Sequence, residues 1–116
     1  MAWLPYVSYF FGGAFLANAL PHLLSGTMGQ AFQSPFAKPP GVGLSSATVN
    51  VFWGVFNLVA SYLLVLHVGK FSLRATLDAL VLGLGVLLMA LQLARHFGQL
   101  HGGNAPVAPP LPSAGI

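Results

Sequence analysis

The chain has 116 residues, 56% of them hydrophobic and 4% charged, with four basic residues, one acid and a formal net charge of +3. Soluble domains carry about 25% charged residues, so this composition excludes a water-soluble core, and four scattered cations exclude the clustered basic face that nucleic acid requires. No cysteine is present, which removes disulfides, thiolate catalysis and thiolate metal sites.

Three stretches, residues 2–24, 48–69 and 75–94, contain no Lys or Arg and only one acid between them. A bilayer crossing takes about 20 mostly apolar residues, because the hydrocarbon core is about 30 Å thick and a helix rises about 1.5 Å per residue. Backbone amides in lipid must bond within their own segment, so such spans are helices. The expected fold is therefore all-α and integral to the membrane. Three transmembrane helices are joined by a long Pro/Gly-rich first loop and followed by an extended tail. A transmembrane domain over residues 1–98 precedes a Pro/Gly-rich tail over 99–116.

Helix 1 is expected at about residues 3–24, with Pro5 harmless near its start and Pro21 kinking or ending it. Ala17-Asn18-Ala19 mimics a small-x-small cleavage site, but no Lys or Arg precedes the apolar run, so the segment reads as a retained helix. Trp3, Tyr6 and Tyr9 suit an aromatic belt at the membrane surface. Gly13 and Ala17 form one small-residue seam, and Ala75, Ala79 and Gly83 another, of the kind that lets helices approach closely.

The loop over 25–47 looks shaped rather than slack. Pro40-Gly41 suits the centre of a type II turn, and Phe32, Phe36 and Lys38 are candidates for docking to lipid or a partner. Ser45, Ser46 or Thr48 can cap helix 2, expected at about 48–68. That helix carries Asn50, Gly54, Asn57 and Ser61 on one stripe, with Trp53 alongside. The short second connection predicts that helices 2 and 3 pack as an antiparallel hairpin, with Ser72 capping helix 3 at about 74–96. Lys70 and Arg74 in that connection favour a cytoplasmic N-terminus by the positive-inside tendency.

Few side chains here can carry chemistry. Asn18, Asn50, Asn57 and Ser61 can fasten helices to one another or line a pathway. Asn18 and His22 stand one turn apart near the Pro21 break. Three alternating spans bring His22, His96 and His101 to one membrane side and His67 to the other. Neutral imidazoles at one depth, His22 and His96 above all, are possible ligands for a haem or chlorin. No His-x3-His pair or carboxylate support accompanies them, so interfacial hydrogen bonding is the plainer reading and no metal site is assigned. Asp78 follows Arg74 by one turn at a helix start, which suits an interfacial ion pair with Arg74 or Lys70. The run Gly41–Ser46 has turn and cap chemistry but completes no nucleotide motif. With a single carboxylate, no nucleophile–base constellation can be assembled, and no catalytic residue is expected.

The run Asn18, Pro21-His22, Gly26, Gly29, Pro35-Phe36, Pro39 through Ser46, Asn50-Val51, Trp53-Gly54 and Asn57 resembles uncharacterised small bacterial membrane proteins with three helices. That resemblance covers about a third of the chain and implies no activity, cofactor or site residue. The layout is also loosely similar to bacterial half-transporters of the sugar-carrying SWEET type, whose Pro-Gln pair falls here on Pro21-His22. The expectation is thus a non-enzymatic accessory subunit of a larger complex in the bacterial inner membrane, with lipid, other subunits or copies of itself as partners. The alternatives are a homo-oligomeric transporter or channel, and a subunit holding haem or chlorin through its membrane-edge histidines. No cofactor beyond lipid is required by the sequence.

Overall fold

The computed structural model describes residues 2–105. It contains three helices, α1 (Leu4–Thr27), α2 (Ala47–Leu66) and α3 (Thr76–His101), with a two-stranded ribbon, β1 (Phe32–Gln33) and β2 (Leu44–Ser45), in the first loop. Each helix is long and apolar enough to cross a membrane. At about 1.5 Å per residue, the 20 residues of α2 match a hydrocarbon core of about 30 Å.

The helix ends depart from expectation for identifiable reasons. Pro21 does not end α1, which continues to Thr27. The stop is Gly29, whose φ of 73° places it at the left-handed position of a Schellman motif. There the Gln30 N–H donates to the Ser25 carbonyl at 2.9 Å and the Gly29 N–H to the Gly26 carbonyl at 3.0 Å. Gly102 (φ 80°) ends α3 in the same conformation, so residues 99–101, expected in the tail, belong to the helix. The rest of that tail, from residue 106, lies outside the described residues. Ser46 caps α2 by accepting from the Val49 N–H at 3.2 Å. Ser72 does not cap α3: it lies outside the helix, where its hydroxyl accepts from the Arg74 N–H at 3.2 Å, and Ala75 is the N-cap.

The expected hairpin of helices 2 and 3 does not form. Instead α1 packs against both neighbours, and α2 and α3 scarcely meet. Ser8, Gly12, His22 and Gly26 of α1 face α2, whereas Phe10, Gly13 and Ala14 face α3. At about 100° per residue these two sets lie on roughly opposite sides of α1. The result is a layer of three helices with α1 in the middle.

The two interfaces are chemically different. Between α1 and α2, four polar bridges cross. Ser8 Oγ donates to the Leu64 carbonyl (2.5 Å), Ser61 Oγ donates to the Gly12 carbonyl (2.7 Å), and Asn18 bonds Asn57 and His22 bonds Asn50. Between α1 and α3, no side-chain hydrogen bond crosses among the described residues, and close approach is set by glycine. A Cβ on Gly85 would run into the Phe10 carbonyl, and one on Gly13 into the Leu82 carbonyl. The α3 seam expected at Ala75, Ala79 and Gly83 is displaced by rotation about the helix. Gly83 is exposed, a Cβ there would meet nothing within 4 Å, and Gly85 takes its place. Gly13, by contrast, lies in contact as its seam predicts.

Tyr9 also departs from the belt assignment. It is 2% exposed and packs edge-on against Phe71 at 5.0 Å, while Trp3 is exposed as a belt residue should be. Replacing Gly13 or Gly85 with Leu is expected to destabilise the chain by about 1–3 kcal/mol through overpacking, whereas Gly83→Leu should fall within about 0.5 kcal/mol of the parent. Thermal melting of the three variants in one detergent checks this order.

Candidate functional site

One end of the layer holds the C-terminal parts of α1 and α3, the start of α2 and the whole ribbon loop. Its organisation begins with Asn50, whose side chain is completely buried. The Asn50 amide nitrogen lies 3.0 Å from the Phe32 carbonyl, 3.2 Å from that of Ser45 and 3.1 Å from that of Ser46, so its two hydrogens are shared among three acceptors. This fixes the amide's orientation and turns Oδ1 toward His22 Nδ1, 2.8 Å away. An amide oxygen only accepts, so His22 Nδ1 carries the hydrogen. In the neutral ring Nε2 is then the lone-pair nitrogen. It has no hydrogen-bond partner among the described residues, and the His22 residue is only 3% exposed.

A second amide pair lies one to two turns deeper. Asn57, also completely buried, donates through Nδ2 to the Trp53 carbonyl at 2.8 Å and accepts on Oδ1 from Asn18 Nδ2 at 2.9 Å. The Asn18 oxygen is left over. Thus three residues of the expected stripe, Asn50, Asn57 and Ser61, face α1 and are committed to holding it, and Gly54 completes the stripe against Leu23. Within the described residues, Asn50 and Asn57 open onto no pathway.

The loop is built on Ser34. Its carbonyl accepts from the Gly41 N–H at 2.8 Å and its hydroxyl from the Phe36 N–H at 3.1 Å, and the same hydroxyl meets that of Ser45 at 2.6 Å. Pro40-Gly41 forms the expected turn, closed by the Val42 N–H on the Pro39 carbonyl at 3.1 Å with Gly41 at φ 74°. From the other side α3 clasps this loop. His96 Nε2 donates to the Gly41 carbonyl at 2.7 Å, and His101 Nε2 lies 2.9 Å from Gln33 Oε1. Phe32 turns inward, against Phe97 at 4.7 Å and His22 at 5.6 Å. It is half-buried there, whereas Phe36 and Lys38 are exposed on the loop.

Between these elements lies a partly open pocket of about 250 Å³, lined by Asn18 and His22 of α1, Trp53 of α2, Leu93, His96 and Phe97 of α3, and the loop at Ser34 and Gly41. The two histidines singled out in the sequence are brought together here, as alternation of the spans requires. Trp53 is stacked on Phe56 at 5.4 Å and stands edge-on to His22 at 6.3 Å. No Lys, Arg, Asp or Glu among the described residues lines the pocket, and no group of three or more metal-ligating side chains occurs among them. Sequence reasoning misses Ser34, Leu93 and Phe97. Ser34 precedes Pro35 in a turn-rich segment, which is a usable signal, whereas nothing in the sequence marks the other two.

At the opposite end, Asp78 is buried, and its Oδ2 accepts from the Ser72 N–H at 3.0 Å. Among the described residues this amide is its hydrogen-bond partner, rather than Arg74 or Lys70. His67 lies at that end too, 3.0 Å from the Tyr62 hydroxyl.

The fold thus defines an all-α protein with three helices suited to span a membrane. The chain matches no known protein family, no curated protein and no solved structure. Interhelical amide bonds in lipid contribute about 0.6 kcal/mol on average and up to about 1.7, so Asn57→Leu should cost an amount in that range. Asn50→Leu removes the side-chain donor to the Phe32, Ser45 and Ser46 carbonyls, the last of which keeps the residue-50 backbone N–H, and strips an imidazole of its acceptor, so it should cost more, about 2–3 kcal/mol. Chemical or thermal unfolding in detergent should rank the two in that order.

Proposed function

We propose that this chain is a non-catalytic subunit of the bacterial inner membrane that holds a small ligand at the loop-covered end of its helices. The observation that carries the reading is convergence. His22, Trp53 and His96 come from three different helices and meet, with the ribbon loop, around one pocket. The loop that closes this pocket is fastened from two sides, by Asn50 of α2 and by His96 and His101 of α3. So many bonds around so small a space are more than turn formation requires. On this reading the N-terminus is cytoplasmic, following Lys70 and Arg74.

The accessory role in a larger complex fits the same architecture. Because α2 and α3 scarcely meet, an apolar groove runs across α1 between them, lined by Leu16, Leu58, Val65 and Leu82. Phe36 and Lys38 stand on the outer side of the loop beside the pocket. A transporter reading has less support, since Asn50 and Asn57 bond to α1 and to backbone rather than line a cavity. A haem or chlorin ligand has less support as well. The pocket, at about 250 Å³, lies below the ~300–1,000 Å³ of sites that enclose drug-sized ligands, and a tetrapyrrole is at least that large.

Native mass spectrometry of the full chain, extracted from its own membranes in mild detergent, tests the proposal. The expected particle carries a small molecule, stoichiometric partner subunits, or both. The Leu93→Trp variant, which fills the pocket from α3, should lose the small molecule while keeping any partner. Bare monomer with no bound molecule and no partner would overturn the reading.

A further inference from the structure

The pocket's own chemistry narrows what it holds. His22 Nε2 is the decisive atom. The Asn50 network spends the ring's only hydrogen on Oδ1, so Nε2 of this pocket-lining residue is a hydrogen-bond acceptor. Asn18 Oδ1 is a second acceptor for a parallel reason, since its amide hydrogens are on the side that bonds Asn57. His96 donates from Nε2 to Gly41 and is left with an acceptor at Nδ1. These three side chains offer lone pairs, while Gln33 and Trp53 of the same lining carry N–H donors, so a ligand that suits the pocket brings a donor for His22 on an atom that can also accept.

Charge excludes two classes of donor-bearing or acceptor-bearing ligand. Among the described residues, no acid lines the pocket to accompany an ammonium ion, and no Lys or Arg lines it to accompany an anion. An unpaired ion in such surroundings carries a large desolvation penalty. What remains is a neutral molecule with a donor that can also accept, and a hydroxyl is the simplest group of that kind. The walls supply its body: Trp53, Phe97 and the two imidazoles present ring faces and edges, and Leu93 and Pro35 are apolar. A flat ring fits such walls through stacked and edge-on contacts.

Depth supplies the route of entry. His22 lies five residues before the end of α1, about 8 Å along the axis, and Asn50 is in the first turn of α2. The pocket therefore sits at the edge of the span rather than at its middle, and it is partly open. Resting on the ligand-holding role proposed above, we infer that the occupant is a neutral hydroxyaromatic, a quinol-type headgroup reached from the membrane surface, whose hydroxyl donates to His22 Nε2.

The inference makes a discriminating demand. A quinol presents O–H to the imidazole lone pair, whereas the corresponding quinone and the quinol dimethyl ether present only oxygen lone pairs to it. Losing one such bond inside a pocket weakens binding about tenfold. Equilibrium dialysis of the full chain in detergent, under anaerobic conditions, is the experiment. The probes are a benzoquinol carrying one isoprene unit, its dimethyl ether, its oxidised quinone and the tail-less benzoquinol, and the Leu93→Trp chain serves as the blank for micelle partition.

The expected result is saturable binding of the quinol above the blank, about tenfold tighter than that of the ether or the quinone. Tighter binding with the isoprene unit assigns the ligand to the membrane, and equal binding without it assigns a water-borne phenol, both within the same headgroup chemistry. Equal affinity for quinol and ether, or preference for the quinone, would overturn the assignment. Because these comparisons use the unaltered chain, they stand even if His22 variants fail to fold. If the quinol does not bind but another small molecule co-purifies and is expelled by Leu93→Trp, this inference falls and the ligand-holding role stands. If the pocket takes nothing in either experiment, both fall.

Discussion

The Asn50 side chain is the group on which the loop end of this protein depends. One buried amide satisfies carbonyls at both strands' flanks and at its own helix start, and it fixes the proton on His22 of the neighbouring helix. Remove it and the ribbon loses its anchor to α2, the Ser45 and Ser46 carbonyls before α2 lose a donor, and the imidazole is free to turn over. Structure and chemistry are joined at that atom pair: the same bond that ties α1 to α2 decides which ring nitrogen keeps its lone pair. An aspartate of equal size could not substitute, since it would meet three carbonyls with lone pairs.

The rest of the layer is governed by shape. Gly12 and Gly26 let α1 approach α2 near Val65 and Val51, Gly54 does the same from α2 near Leu23, and Gly13 with Gly85 sets the approach of α3. In lipid, apolar side chains gain nothing by leaving their surroundings, so contact area and hydrogen bonds decide association. The α1–α2 interface has both, and the α1–α3 interface has the first alone. The histidines of α3 compensate by gripping the loop rather than α1.

Much of this is legible in the sequence, because the strongest signals there are long and periodic. Three uncharged apolar runs specify three helices, and the four-three-four spacing of Asn50, Gly54, Asn57 and Ser61 specifies the buried face of α2. Pro40-Gly41 specifies its turn, and Ser46 is one of three caps the sequence offers. The departures arise where signals are weaker. Pro21 is a poorer stop than Gly29, because a proline inside a helix costs one bond and a left-handed glycine redirects the chain. Small residues on α3 recur on more than one face, so spacing alone selects Gly83 where packing uses Gly85. The short connection suggests a hairpin of α2 and α3, but residues 67–75 suffice to carry the chain to the far side of α1. The pocket is legible only as two histidines at one depth. Its walls, Leu93 and Phe97, are ordinary apolar residues until the loop folds over them.

The central position of α1 has a consequence for how the molecule is assembled during synthesis. The first two spans are made first and contain all four polar bridges between them, so that pair needs nothing from α3 to satisfy its interface. That hairpin can also fold the ribbon through Asn50 while its second flank is still bare. The third span then arrives on the opposite side of α1 and meets Phe10, Gly13 and Ala14, with no side-chain hydrogen bond among the described residues to capture it. Its attachment is completed only when its last two turns reach the loop. The pocket is thus the last feature to close, and its closure marks the chain as fully assembled.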